Sequence, residues 1–260
     1  MLRATWAAKW YLILGLLAFL ILLVINTPLH FVWQYVQPAT KGLPVRISAP
    51  VGTVWSGDVR LDTPQSGAIN AHWNLDPFSL VTGSLNLAIN AEGEKLRLSG
   101  RAVADGLYSG GVPDRIILED VSGFLDAAAL SPYLMSMQTS LTGDFTLNKF
   151  SADLSLGEKN LNSASGQLVY SGGRAQVPVQ RQRISTELPM LVATVATAGD
   201  KFVVPVTTED GEQIGQLFLQ KDGWGGVSVL KRALDIAGQP WPDKQATPDT
   251  VVFEVSQKIL

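Results

Sequence analysis

The sequence predicts an all-β domain behind one membrane helix: an open, curved, mostly antiparallel sheet laid out as a meander, with few short helices. Three observations carry this. An unbroken apolar run lies near the N-terminus, hydrophobic residues alternate with period two through most of the remaining chain, and Gly and Pro punctuate the alternating stretches. With 46% hydrophobic and 17% charged residues over 260 positions, the chain is too apolar to be disordered.

Residues 1–36 form the first unit, a cytoplasmic stub with the anchor. No Asp or Glu precedes Asp58, and no formal charge lies between Lys9 and Lys41. Trp10 to Ile25 is continuously apolar and rises about 24 Å as a helix, close to a spanning length once flanking residues are added. The anchor residues are Trp10, Tyr11, Leu12, Ile13, Leu16, Leu17, Phe19, Leu20, Leu22 and Leu23. Trp6, Trp10 and Tyr11 occupy interfacial positions, and Arg3 and Lys9 outside them place the N-terminus in the cytoplasm. The residues after the run contain no small-x-small pattern, which favours a retained anchor over a cleaved signal peptide. Thr27-Pro28 then starts either a short interfacial helix through Leu29, Val32, Trp33 and Val36 or the kinked end of the anchor.

Residues 37–260 form the second unit, an exported β-rich domain holding all 23 acidic residues and every basic residue except Arg3 and Lys9. Alternation runs through Ile69, Ala71, Trp73 and Leu75, through Leu85, Leu87, Ile89 and Ala91, and through Leu96 and Leu98. It resumes at Leu141, Phe145 and Leu147, at Ala152, Leu154 and Leu156, at Leu168 and Tyr170, and at Val251, Phe253 and Val255. One greasy and one polar face follow from that period. Turns are expected at Glu92-Gly93-Glu94, Asn148-Lys149, Ser171-Gly172-Gly173, Ala198-Gly199-Asp200 and Glu209-Asp210-Gly211. A glycine opens alternation at Gly83, Gly143, Gly166 and Gly215, at irregular spacing that points to strand starts in a meander and not to a solenoid. Short helices are expected after Asp76-Pro77, across Ala127 to Met137 and across Ser228 to Ala237.

Composition narrows the chemistry. The chain has no Cys and only two His, His30 and His72, which excludes disulfides, thiolate metal sites and Cys nucleophiles. A net charge of −3 argues against nucleic acid. There is no Gly-x-Ser-x-Gly elbow, and Gly110-Gly111, Gly172-Gly173 and Gly223-Trp224-Gly225-Gly226 lack a phosphate-loop context. Glu119-Asp120 and Glu209-Asp210 are adjacent acids, which point to opposite faces of a strand. Arg181-Gln182-Arg183 puts two cations on one side of a strand, a solvated edge or a contact for an acidic group. His72 lies amid strand-like alternation and is expected on the solvent side. No catalytic, cofactor or metal residues are assigned.

Two phrases remain: Gly52-Thr53-Val54-Trp55-Ser56-Gly57 and Trp73-Asn74-Leu75-Asp76-Pro77-Phe78-Ser79-Leu80-Val81-Thr82-Gly83. On their own chemistry, Gly52 and Gly57 flank a short strand, and Trp55 and Trp73 bury large apolar area. Their order, with the anchor and the cysteine-free β-rich remainder, resembles the type II secretion system protein N (general secretion pathway protein N) family, most closely before Pro178. Gly52, Thr53, Trp55, Gly57, Trp73, Leu75, Pro77, Leu80 and Gly83 carry that resemblance. It implies a non-enzymatic accessory component in the bacterial inner membrane, single-pass, with a periplasmic domain that works by binding and assembly. Its partners would be the inner-membrane platform or the outer-membrane secretin. The family is also similar in style to AsmA-like proteins with a half-barrel sheet. That likeness implies a second reading, a periplasmic groove that carries lipid or hydrophobic protein segments.

Overall fold

The computed structural model describes residues 14–20, 22–31, 33–34, 46–63, 67–109, 112–158, 160–179, 182–198, 201–220 and 223–258. Alternation becomes strand as expected. In chain order the strands are β1 (Arg46–Gly52), β2 (Ser56–Thr63), β3 (Gly67–Asp76), β4 (Ser84–Gly93), β5 (Leu96–Asp105), β6 (Arg115–Asp126) and β7 (Ser140–Leu141). There follow β8 (Asp144–Ser155), β9 (Asn160–Tyr170), β10 (Gly173–Val179), β11 (Gln182–Leu188) and β12 (Leu191–Ala198). The last are β13 (Lys201–Thr208), β14 (Gln213–Gln220), β15 (Trp224–Leu230) and β16 (Val251–Lys258).

Among the described residues, thirteen strands form one sheet in the order β1-β2-β3-β4-β5-β6-β8-β9-β12-β13-β14-β15-β16, every pairing antiparallel. It is a meander with one excursion, in which β7, β10 and β11 form a separate three-stranded sheet. Its ends, β1 and β16, are not paired with each other, so the sheet is open.

Register carries the apolar set across the sheet. Trp73 faces Ile89, Ala91 faces Leu98, Leu96 faces Leu125, Leu125 faces Phe145 and Leu147 faces Leu168. The line continues from Leu168 to Ala193, Ala193 to Val206, Val204 to Leu217, Leu217 to Val227 and Val227 to Val255. Directly opposed residues share a face, so these side chains make one continuous apolar surface. Asn70, His72 and Asn74 point the other way and are exposed.

Two bulges keep this surface in phase. On β6 the apolar positions shift from Ile116 and Leu118 to Val121 and Gly123; on β8 they shift from Phe145 and Leu147 to Phe150 and Ala152. The extra residues are Asp120 (φ 49°) and Lys149 (φ 45°), both in the left-handed region. Each displaced amide is held by the neighbouring strand, Asp120 N donating to Ser151 Oγ (3.2 Å) and Lys149 N to Ser122 Oγ (3.0 Å). Asn148-Lys149 is therefore a bulge inside β8 and not a turn, because the phase change does not interrupt pairing with β6 and β9. Gly166 faces that bulge. A Cβ there would lie 2.7 Å from Phe150 Cα, and its φ is 137°.

Other expectations shift as well. Leu141 pairs with Ala175 of β10 in the small sheet and does not precede Phe145 in one strand. Gly83 and Gly143 immediately precede β4 and β8, whereas Gly166 and Gly215 lie within strands. The helix expected from Ser228 covers only Lys231–Ile236, since Val227, Ser228 and Val229 pair with β16. Ala127–Leu130 and Ser131–Ser136 form the short helices expected there, with Asp126 Oδ1 accepting from Ala128 N at 2.7 Å. Arg181 lies outside the described residues, as does the Arg183 side chain.

One ion pair ties β6 to β8 on the polar face. Arg115 Nε and Nη2 donate to both oxygens of Asp153, at 2.7 and 2.5 Å. These bonds hold the Asp153 carboxyl below the ordinary aspartate range, against partial desolvation. A depressed folded-state pKa contributes stability above the unfolded-state value and loses it as pH falls through the folded one. Acid unfolding followed by circular dichroism should show wild type losing stability from about pH 4 downward, and Asp153→Asn losing less over the same interval.

Candidate functional site

A sheet with one apolar face normally buries it against a second layer. Among the described residues no large side chain is fully buried, and the buried apolar set is small: Ile69, Ala91, Ala127, Ala129, Ala152, Tyr170, Ala175 and Phe202. On the apolar face Leu168 is 39% exposed, Leu217 45% and Phe253 55%. Among the described residues nothing covers this face as a second layer.

It is also hollow. A cavity of about 510 Å³ is lined by Phe150, Leu154, Leu161, Val195, Phe202 and Leu217, from five consecutive strands of the sheet. A second of about 420 Å³ is lined by Leu98, Leu125, Leu130, Phe145, Leu147 and Leu168. Leu130, from the 3-10 turn after β6, joins the lining of the second cavity. Both linings are mainly aliphatic and aromatic, with Ser155 and Asn160 in the first and Arg97 in the second, so the surface suits hydrocarbon better than a polar ligand.

The two sequence phrases meet at one corner. Thr53-Val54-Trp55 is the turn between β1 and β2, so Gly52 and Gly57 flank a turn and not a strand. Thr53 closes it, its N–H donating to the Ser56 carbonyl at 2.8 Å and its hydroxyl accepting from Ser56 N at 3.1 Å. Trp73 Nε1 donates to the Val54 carbonyl (3.0 Å), and Leu75 N to the Trp55 carbonyl (2.5 Å). Gly57 makes room for the Trp73 ring, since a Cβ there would lie 2.6 Å from its Cζ2.

The same corner grips the N-terminal helix, whose described residues are helical at 14–20 and 22–25. Trp55 Nε1 donates to the Val24 carbonyl (2.8 Å), Val54 N to the Thr27 carbonyl (3.2 Å), and Pro28 forms a β-bridge with Thr53. Trp55 thus adds a second donor to a carbonyl in the last turn of the helix, which Thr27 N also reaches at 3.2 Å. Thr27 serves that C-terminal end, its hydroxyl donating to the Leu23 carbonyl (3.0 Å), and helix resumes after Pro28. Trp10, Tyr11, Leu12 and Ile13 lie outside the described residues; Leu16, Leu17, Phe19, Leu20, Leu22 and Leu23 are exposed on the helix. No helix among the described residues is long and apolar enough to cross a membrane.

The second phrase continues into a 3-10 turn, Pro77–Thr82, that starts as Asp76-Pro77 predicts. Asp76 Oδ1 accepts from Phe78 N (2.9 Å), and Gly83 ends the turn at φ 78°. Tyr108, which no sequence motif singles out, crosses from the β5–β6 connection and packs its ring against Gly83.

The titratable groups offer little chemistry. His72 Nδ1 lies 2.9 Å from Asp58 Oδ1 in a surface pair on the polar face. Burial, with a smaller contribution from Glu187, raises the Tyr170 hydroxyl, which donates to the Thr142 carbonyl at 2.6 Å. Among the described residues no group of three or more His, Asp or Glu is arranged to hold a metal.

Residues 44–240 match the model of the family described as Type II secretion system (T2SS), protein N. The chain belongs to this family. The matched residues run from the start of β1 past the helix Lys231–Ile236, so the protein N family model takes in the corner and both cavities, including strands beyond Pro178. The match makes this protein an accessory component of a type II secretion system. No curated protein and no solved structure matches the chain.

Gly57→Ala should destabilise the corner by about 1–3 kcal/mol, the usual range for an added methyl group in tight packing. The readout is the urea midpoint of the full chain in detergent, with Gly157→Ala, which meets open space at an ordinary backbone conformation, as the control for substitution at a glycine. An unchanged Gly57→Ala midpoint would show that the Trp73 contact does not constrain this position.

Proposed function

We propose that this protein N family member is held in the bacterial inner membrane by residues 1–36, with residues 37–260 in the periplasm as one folded unit. There it contributes to secretion by binding, without chemistry of its own. The family match supports the secretion role, and the charge distribution before Asp58 supports the anchor. The observation that carries the binding mode is the uncovered, hollow apolar face. Apolar surface left wet forgoes about 25 cal/mol per Å², so an occupant that covers it gains that driving force.

The partners in this reading are the inner-membrane platform or the outer-membrane secretin. A second reading rests on the same face: the groove holds the acyl chain of a lipid or a hydrophobic protein segment. The two differ in what leaves the membrane with the protein, a secretion component or a lipid.

Deletion of the gene should reduce export of secretion-system substrates, and the tagged protein should co-purify with platform or secretin subunits; a normal secretome without such contacts contradicts the assembly reading. For the groove, native mass spectrometry of gently solubilised protein should show retained lipid that Leu154→Glu/Val204→Glu loses. Ser165→Glu on the exposed polar face should keep it. Lipid absent from wild type contradicts the carrier reading.

A further inference from the structure

The turn Pro77–Thr82 sits alongside the N-terminal helix, not beyond its end. Pro77, Phe78 and Leu80 line a cavity of about 340 Å³ together with Leu17 and Leu20. Helix gives way to a turn at Asn26. At 1.5 Å per residue, Leu20 and Leu17 lie about 9 and 13 Å back along the axis from that point. If the helix is buried in a bilayer to its end, the turn reaches a comparable depth.

We infer that Pro77–Thr82 is a membrane wedge, entering the leaflet in which the anchor helix ends and carrying Phe78 and Val81 into the headgroup and acyl region. Its partner is a lipid bilayer. The wedge rests on the anchoring proposed for residues 1–36 and adds a second membrane contact to it.

Side chains and backbone both fit immersion. Phe78 is 71% exposed and Val81 76%, and Pro77 to Gly83 contains no charged residue. Tyr108 beside them is also exposed, and its ring and hydroxyl suit the membrane interface. Hydrocarbon supplies no water to backbone groups, so a segment that enters it must satisfy them internally. This turn does. Tyr108 Oη lies 2.8 Å from the carbonyls of both Leu80 and Val81, Thr82 Oγ1 donates to the Ser79 carbonyl (2.7 Å), and Ser84 Oγ donates to it at 3.2 Å. Ser79 Oγ donates to the Asp76 carbonyl (2.7 Å), and Asp76 caps the first amide.

The cysteine-free chain allows a direct test. Leu17→Cys, Phe78→Cys, Val81→Cys and Glu94→Cys are each labelled with nitrobenzoxadiazole in the full-length protein and reconstituted into phosphatidylcholine vesicles containing doxyl lipids. Glu94 lies in the β4–β5 turn at the opposite end of the strands. Blue-shifted emission and doxyl quenching at 78 and 81, approaching that at 17 and absent at 94, is the expected result. Quenching at 17 with 78 and 81 behaving like 94 overturns the wedge and leaves the anchor standing. No quenching at any position overturns the anchor and the wedge with it. Two separate wedge positions keep the test decisive where one labelled variant fails to fold.

Discussion

Thirteen strands present one continuous hydrophobic face, and the described chain places no second layer over it. The rest of the structure depends on that constraint. A closed barrel would turn this face inward and remove both edges; a sandwich would pack it. Here, among the described residues, the sheet stays open and its apolar face holds cavities lined almost entirely by hydrocarbon. A protein built this way leaves its apolar surface partly wet, which keeps the surface available for something else.

Two devices maintain the arrangement. The paired bulges at Asp120 and Lys149 reset the alternation on adjacent strands at the same level, each held by a serine of the other strand. Without them a one-residue phase error would put polar residues into the groove and leucines on the polar face. The corner formed by Trp55, Trp73 and Gly57 joins the first strands to the end of the N-terminal helix through indole and backbone hydrogen bonds. The groove and the helix are thus parts of one connected structure.

Much of this is legible in the sequence. Period-two alternation locates β3, β4, β5, β8, β9 and β16 because each side chain's face is fixed by parity. Asp76-Pro77 announces its turn through local capping chemistry, and the two tryptophan phrases point to the family without any knowledge of their contacts. The hidden features are non-local. Asn148-Lys149 has turn-like composition, and only pairing with both neighbours distinguishes a bulge from a chain reversal. Thr53-Val54-Trp55 is made of residues that favour strands, yet Ser56 and Thr53 close it into a turn. Tyr108 reaches the carbonyls of Leu80 and Val81 across a long sequence separation that no short motif encodes.

Binding through the apolar face requires the sheet to be open, and paired spin labels at its two ends measure that most directly. Ser48→Cys on β1 and Ser256→Cys on β16 can be labelled in the cysteine-free full-length protein and their separation read by pulsed electron resonance. An open sheet gives a separation well beyond the roughly 5 Å between paired strands. It also gives no disulfide between the two cysteines under oxidation. A short, narrow distance with efficient disulfide formation would mean that β1 and β16 pair, closing the sheet around its own apolar face.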